Sequence, residues 1–228
     1  MSFRFKHFGT IIEERRIMKH IFSILFLFGL VNGFGQDATA AKKLLDEVSS
    51  NIASYDNLFF EFSYVLENQQ ENIKQETNGS VTVKGDKYKL NYLEAEQLFD
   101  GQKTYTIVPD NEEVTISSAD DEEGYGINPS KLLSFYKDGY RYEWDIKQKV
   151  IDRTVQFIKL VPTLPNETTQ YLLLGIDLSK KSIYRLIDIG KNSTRTTLTI
   201  TNQKENIPLN NDFFVFNADA YPDYYINN

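Results

Sequence analysis

The chain has 228 residues, a formal charge of −7 and no cysteine, and its two histidines, His7 and His20, both fall in the first twenty residues. Removal of the N-terminal export segment described next takes both histidines with it and leaves a charge of about −10. A mature chain without imidazole or thiol lacks the groups behind most nucleophilic and acid–base catalysis and behind zinc sites of nitrogen or sulfur ligands, and its acidity disfavours nucleic acid as a partner.

Met18-Lys19-His20 opens a short cationic region, Ile21 to Val31 is an apolar run too short to span a bilayer, and Asn32-Gly33-Phe34-Gly35 supplies small residues at the positions a signal peptidase reads. Met18 therefore reads as the initiator and residues 1–17 as an upstream extension. The mature start falls at Gln36, and residues 36–228 form a single domain. Without an N-terminal cysteine the mature protein carries no lipid anchor of its own.

From Ala38 to Tyr55, Ala41, Leu44, Leu45, Val48 and Ile52 recur at helical spacing with Lys42, Lys43, Asp46 and Glu47 on other faces, which predicts one amphipathic helix. Leu58 to Leu66 places Phe60, Phe62, Tyr64 and Leu66 on one face, with Glu61 and Ser63 among the residues on the other, and predicts a strand. Further strands are expected over Glu76–Lys84, Lys87–Leu93, Arg141–Lys149, Thr154–Val161, Thr169–Asp177, Ser182–Ile189, Thr194–Asn202 and Asp212–Phe216. The short turns between them suit antiparallel neighbours. In the middle, strand-like runs flank Asp100-Gly101, a pair that tolerates the positive φ of a primed hairpin turn, and a Pro109-Asp110-Asn111 turn leads to a short Val114/Ile116 strand. The acidic loop Asp120–Gly124 follows. Asn128 can then cap a short apolar helix that starts at Pro129 and carries Leu132, Leu133, Phe135 and Tyr136.

The elements amount to a mainly β (α+β) fold: an incomplete antiparallel β-barrel or curved sheet of about eleven strands, with an N-terminal helix and a short helical lid. Regular alternation assigns Phe60, Phe62, Tyr64, Val81, Val83, Leu90, Tyr92, Tyr105, Ile107, Tyr142 and Trp144 to the inner face. These side chains either pack against one another as a solid core or, being too bulky and numerous to do so, line an apolar cavity. In the second case Leu132, Leu133, Phe135 and Tyr136 lie over its opening as a lid.

The order of elements resembles the LolA-like periplasmic carriers of outer-membrane lipoproteins. The matching stretches are the helix followed by Leu58-Phe59-Phe60-Glu61-Phe62, then Thr77 to Lys84, Leu98-Phe99-Asp100-Gly101-Gln102-Lys103-Thr104-Tyr105, Asn128-Pro129-Ser130-Lys131-Leu132-Leu133, and Phe214-Val215-Phe216. The similarity spans residues 38–220, and its most specific part is the hairpin followed by the Pro-x-x-Leu-Leu lid. The resemblance implies an incomplete barrel with a lid over an apolar cavity, no catalytic group and no cofactor. It also implies a monomer that ferries acylated lipoproteins through the periplasm of a Gram-negative bacterium, from an inner-membrane ABC transporter to an outer-membrane acceptor. One departure stands out. The family commonly carries Arg-Pro where this chain has Gly85-Asp86, and that arginine is thought to hold the lid shut.

Alternative functions remain open. The same half-barrel can serve as a sensor or anchoring module for a lipid or lipopeptide. An enzyme acting on lipid or glycan would need a carboxylate pair such as Asp138 and Glu143 at a set separation. The loop Asp120-Asp121-Glu122-Glu123 lacks the alternating ligand spacing of a calcium loop and reads as solvated, so no metal site is expected. Asn78-Gly79-Ser80 fits a glycosylation triplet only formally.

Overall fold

A computed structural model describes residues 32–118, 129–165 and 168–227. The apolar run of the export signal, the acidic loop at 120–124 and the expected cap Asn128 lie outside the described residues. The backbone of residues 32–35, on the signal side of the expected cleavage, belongs to the first helix, α1 (Asn32–Ala53).

Among the described residues, twelve strands form one sheet. The first meander comprises β1 (Leu58–Asn68), β2 (Ile73–Lys84), β3 (Lys87–Tyr92), β4 (Ala95–Phe99), β5 (Lys103–Val108) and β6 (Glu113–Ser118). The second comprises β7 (Tyr140–Val150), β8 (Arg153–Pro162), β9 (Thr169–Asp177), β10 (Ser182–Gly190) and β11 (Thr194–Glu205), and the chain ends in β12 (Tyr225–Asn227). The spatial order β12-β6-β5-β4-β3-β2-β1-β11-β10-β9-β8-β7 shows that β1 and β11 zip the two meanders together. The sheet is open, with β7 at one edge and β12 at the other. The long β7 edge alternates Arg141, Glu143, Asp145, Lys147 and Lys149, charges that discourage edge-to-edge association. A bulge interrupts β7 after Trp144, and the fully buried Gln156 fills it by donating to the carbonyls of Asp145 and Ile146.

Several expectations need correction. Asp212–Phe216 is no strand but a turn, with Phe213 and Val215 bonded back to Asn210 and Asp212. The chain instead contributes the unforeseen β12, which runs parallel to β6. The central hairpin exists, but its tip is Gly101-Gln102 and only Gly101 has positive φ. Asp100 acts through its carboxylate, whose Oδ1 accepts from the N–H groups of Gln102 and Lys103, so the turn is an Asx-type one. The expected lid helix is two 3₁₀ turns, Lys131–Leu133 and Phe135–Lys137, separated at Ser134, whose φ of −139° and ψ of −9° leave the helical region.

The concave face divides into two halves. Over β7–β10, Ala41, Leu44, Leu45 and Val48 of α1 pack against Ile158, Leu160, Leu174, Ile176 and Ile183 and make a solid core. The helix is fastened by its Asn51 amide, which donates to the carbonyls of Lys180 and Lys181, and by a Glu47–Lys181 ion pair at 2.8 Å. Over β1–β4, Leu58, Phe60, Phe62, Val81, Val83, Tyr88 and Phe99 form a second cluster, which α1 meets only through Ile52 in its last turn and against which Leu133 packs.

The convex face carries a strap. After β11, Asn57 clasps Ile207 through both its amide groups, and the chain from 207 onward crosses the back of β3–β6. There Phe216 stacks on Tyr105 at 4.5 Å, Tyr221 stacks on Phe216 at 5.6 Å, and Phe214 is buried.

Candidate apolar cavity and its lid

Where β1, β2 and β3 turn away from α1, a cavity of about 240 Å³ opens between the sheet and the lid. Its walls are Phe60, Phe62 and Tyr64 of β1, Val81 of β2, Leu90 and Tyr92 of β3, Ile183 and Leu186 of β10, and Leu198 and Ile200 of β11. Pro129, Leu132 and Leu133 roof it. The register explains why these side chains converge. Tyr64 pairs with Leu198 on one side and Thr77 on the other, Leu198 pairs with Leu186, and Val81 pairs with Leu90, so one face of five strands turns inward together.

Glycine makes room where the wall is most crowded. The Phe62 ring lies over Gly79, so close that a Cβ there would sit 2.5 Å from Phe62 Cζ and 2.7 Å from the Asn91 carbonyl. Tyr64 and Tyr92 meet edge to face at 5.8 Å, and Phe62 lies tilted by 35° to Tyr92 at 6.0 Å, so the aromatic wall braces itself around the space.

Of the wall residues read from the sequence, Phe60, Phe62, Tyr64, Val81, Leu90 and Tyr92 line the cavity, as do Leu132 and Leu133 of the lid. Val83 shares their face but is sealed in the adjoining cluster with Leu58 and Phe60. Tyr105 and Ile107 point the other way, because their partners Leu98 and Glu96 alternate with the inward Phe99 and Gln97. Ile107 is 2% exposed, yet on the convex face that the strap covers. Trp144 lies opposite Ile158 on the edge strand, outside the cavity and 38% exposed. Phe135 and Tyr136 pack into the helix-side core instead of roofing the space.

Tyr142 is placed on the concave face but serves the lid. Its hydroxyl lies 2.8 Å from the carbonyl oxygen of Tyr136 and 2.9 Å from that of Lys137, donating its one proton between them. Thr163 adds two bonds to the Gly139 carbonyl just beyond the lid. Tyr136 is 1% exposed, and burial pushes its hydroxyl up to about 12. The position of the family arginine, Gly85-Asp86, is an exposed hairpin tip with open space around Gly85. The lid is thus anchored by a tyrosine on the edge strand.

Ile183, Leu186, Leu198 and Ile200 were absent from the sequence-based wall. A signal for the last two exists: in Thr194–Asn202 they are the only aliphatic residues and alternate with threonines. Ile183 and Leu186 are hidden by a bulge between Ile183 and Arg185, which breaks the simple alternation of β10. Among the described residues no cluster of His, Asp and Glu could hold a metal ion, and no helix is long and apolar enough to cross a membrane.

Among the described residues, the open curved sheet, the single α-helix and the roofed apolar cavity agree with the fold expected from the sequence resemblance. Among solved structures, an uncharacterised conserved protein from Thermus thermophilus is similar over 82% of this chain and 98% of its own, with 9% identity and a TM-score of 0.52. A LolA superfamily protein from Nitrosomonas europaea matches over 77% and 97% at 12% identity and a TM-score of 0.41. The lipoprotein LppX of Mycobacterium tuberculosis matches over 74% and 98% at 13% identity and a TM-score of 0.45. At 9% identity the likeness to the Thermus protein is one of fold. No protein-family model matches the chain, and no curated protein sequence does.

Proposed function

We propose that the mature chain, residues 36–228, is a periplasmic carrier that shelters the acyl chains of lipoproteins between the inner and outer membranes. The observation that carries this reading is the apolar cavity under a short lid that the Tyr142 hydroxyl ties to the edge strand. Each buried CH₂ of an acyl chain gains ~0.8 kcal/mol, so a lipoprotein bearing several chains cannot cross water at a useful rate unless a protein hides them. Sheltering needs no catalytic group. The inventory of the mature chain, without His or Cys, suits binding better than turnover.

The cavity volume argues that the lid must move. About 240 Å³ is below the ~300–1,000 Å³ of ordinary small-molecule sites, so the closed form accommodates part of one chain. Loading then displaces Leu132 and Leu133, and the cluster formed by Phe60, Phe62 and Tyr92 supplies the surface that becomes accessible. Loading by an inner-membrane ABC transporter and unloading to an outer-membrane acceptor supply the direction.

The test is to express the full chain with its export segment in a lipoprotein-producing bacterium, purify without detergent and record native mass spectra. A co-purifying acylated polypeptide supports the carrier. Free phospholipid or fatty acid alone shifts the function to lipid sensing, and a protein that neither co-purifies with lipid nor takes up an acylated peptide defeats the proposal.

A further inference from the structure

We infer that Asp188 forms a polar subsite next to the acyl cavity and accepts a hydrogen bond from an N–H at the head of an acylated ligand. This inference rests on the acyl-cavity reading above. Asp188 lies on the inward face of β10, two residues beyond the cavity residue Leu186 and so roughly 6.6 Å farther along the strand. Its neighbours across the sheet are Leu172 of β9, which is buried under the helix-side core, and Thr196 of β11. Among the inward positions of β8, β9 and β10 it is the only carboxylate among the described residues.

One oxygen of this carboxyl is answered and the other is not. Thr169 Oγ1 donates to Oδ2 at 3.1 Å, whereas Oδ1 is buried with no hydrogen-bond partner. Among the described residues no ion pair forms to Asp188. Burial raises its affinity for a proton, outweighing the Thr169 bond, and its charge is felt by Tyr140, whose ring meets the lid residue Phe135 at 5.9 Å. A buried acceptor left without a donor costs free energy that an arriving donor removes. A single carboxylate, with one oxygen already engaged by a hydroxyl, is too poor a ligand set for a metal ion. A donor reaching this spot must travel on a molecule whose remainder fits the apolar cavity, which describes the amide N–H at the junction of an N-acyl group and its head.

The inference is tested with two matched amphiphiles, N-dodecylacetamide and dodecyl acetate, which differ at the N–H. Both compete against N-phenyl-1-naphthylamine for the full-length protein, followed by fluorescence. The amide should bind about tenfold more tightly than the ester to the wild type. Asp188→Leu should abolish that preference, while Asp188→Asn, which keeps an acceptor oxygen and provides a folded control, should retain part of it. Equal binding of the two compounds to the wild type, or a preference that survives in Asp188→Leu, overturns the inference while leaving the cavity in place. If neither compound displaces the probe, the acyl-cavity reading falls and the subsite falls with it.

Discussion

Two aspartates on neighbouring strands show how little a residue's identity decides without its partners. Asp177 ends β9 with its side chain 3% exposed; burial alone would raise its carboxyl, but bonds from Ser179 and Lys180 and the charge of Arg153 outweigh that and hold it below the usual range. A depressed folded-state value means stability that is present above the unfolded value of about 3.9 and lost as pH falls through it toward the folded one. Asp177→Asn should therefore lower the urea midpoint at pH 7, with the difference from wild type shrinking below about pH 4. Asp188 has the opposite sign: its raised value makes the charged form unfavourable in the fold, so Asp188→Asn should raise the urea midpoint at pH 7 and confer no gain below about pH 4. A third residue, Gly79, is fixed by space. Its replacement by Ala would press on the Phe62 ring and on the rigid Asn91 carbonyl, and the protein should lose about 1–3 kcal/mol in denaturant titration.

At the scale of elements, the lid is where packing and hydrogen bonding separate. Tyr142→Phe keeps the ring in its place among the helix-side residues and removes the proton shared by the Tyr136 and Lys137 carbonyls. The expected cost is about 1 kcal/mol, read as about fivefold faster hydrogen exchange at Ser134 and Lys137, whose amides close the two 3₁₀ turns, with the β1–β2 amides unchanged. Unchanged exchange at both residues would show that the Tyr142 hydroxyl does not hold the lid. The sequence made the existence of nearly every element legible, because period-2 and period-3.6 patterns report on exposure and most elements here have one wet face. It could not say which face of β5 is inside. Thr104 and Thr106 alternate with Tyr105 and Ile107, and the bulkier set looked like the interior; the strap of Phe214, Phe216 and Tyr221 gives the convex face an apolar covering of its own, so bulk there marks a second buried surface. The lid's form was hidden for a different reason. Pro129 and the apolar pairs that follow are compatible with either an α-turn or 3₁₀ turns, and the carbonyls of Tyr136 and Lys137 find their donor in Tyr142 of β7, a partner remote from the local pattern.

For the whole molecule, one sheet curves round two halves that treat apolar side chains in opposite ways. Under α1 the concave face is filled, and under the lid it is not. The same kind of substitution should then have different consequences on the two sides. Leu45→Ala beneath the helix removes bulk from a closed core, and should cost about 2–5 kcal/mol in unfolding free energy while leaving the affinity for an acyl probe nearly unchanged. Leu198→Trp beneath the lid adds bulk where space exists, so it should leave the urea midpoint within about 1 kcal/mol of the wild type yet reduce probe binding at least tenfold. Measured side by side, denaturation and probe titration separate the two functions of the sheet. If Leu198→Trp instead destabilised the protein as much as Leu45→Ala and left probe binding intact, the space beneath Leu132 and Leu133 would be part of an ordinary core, and acyl chains would have to bind elsewhere.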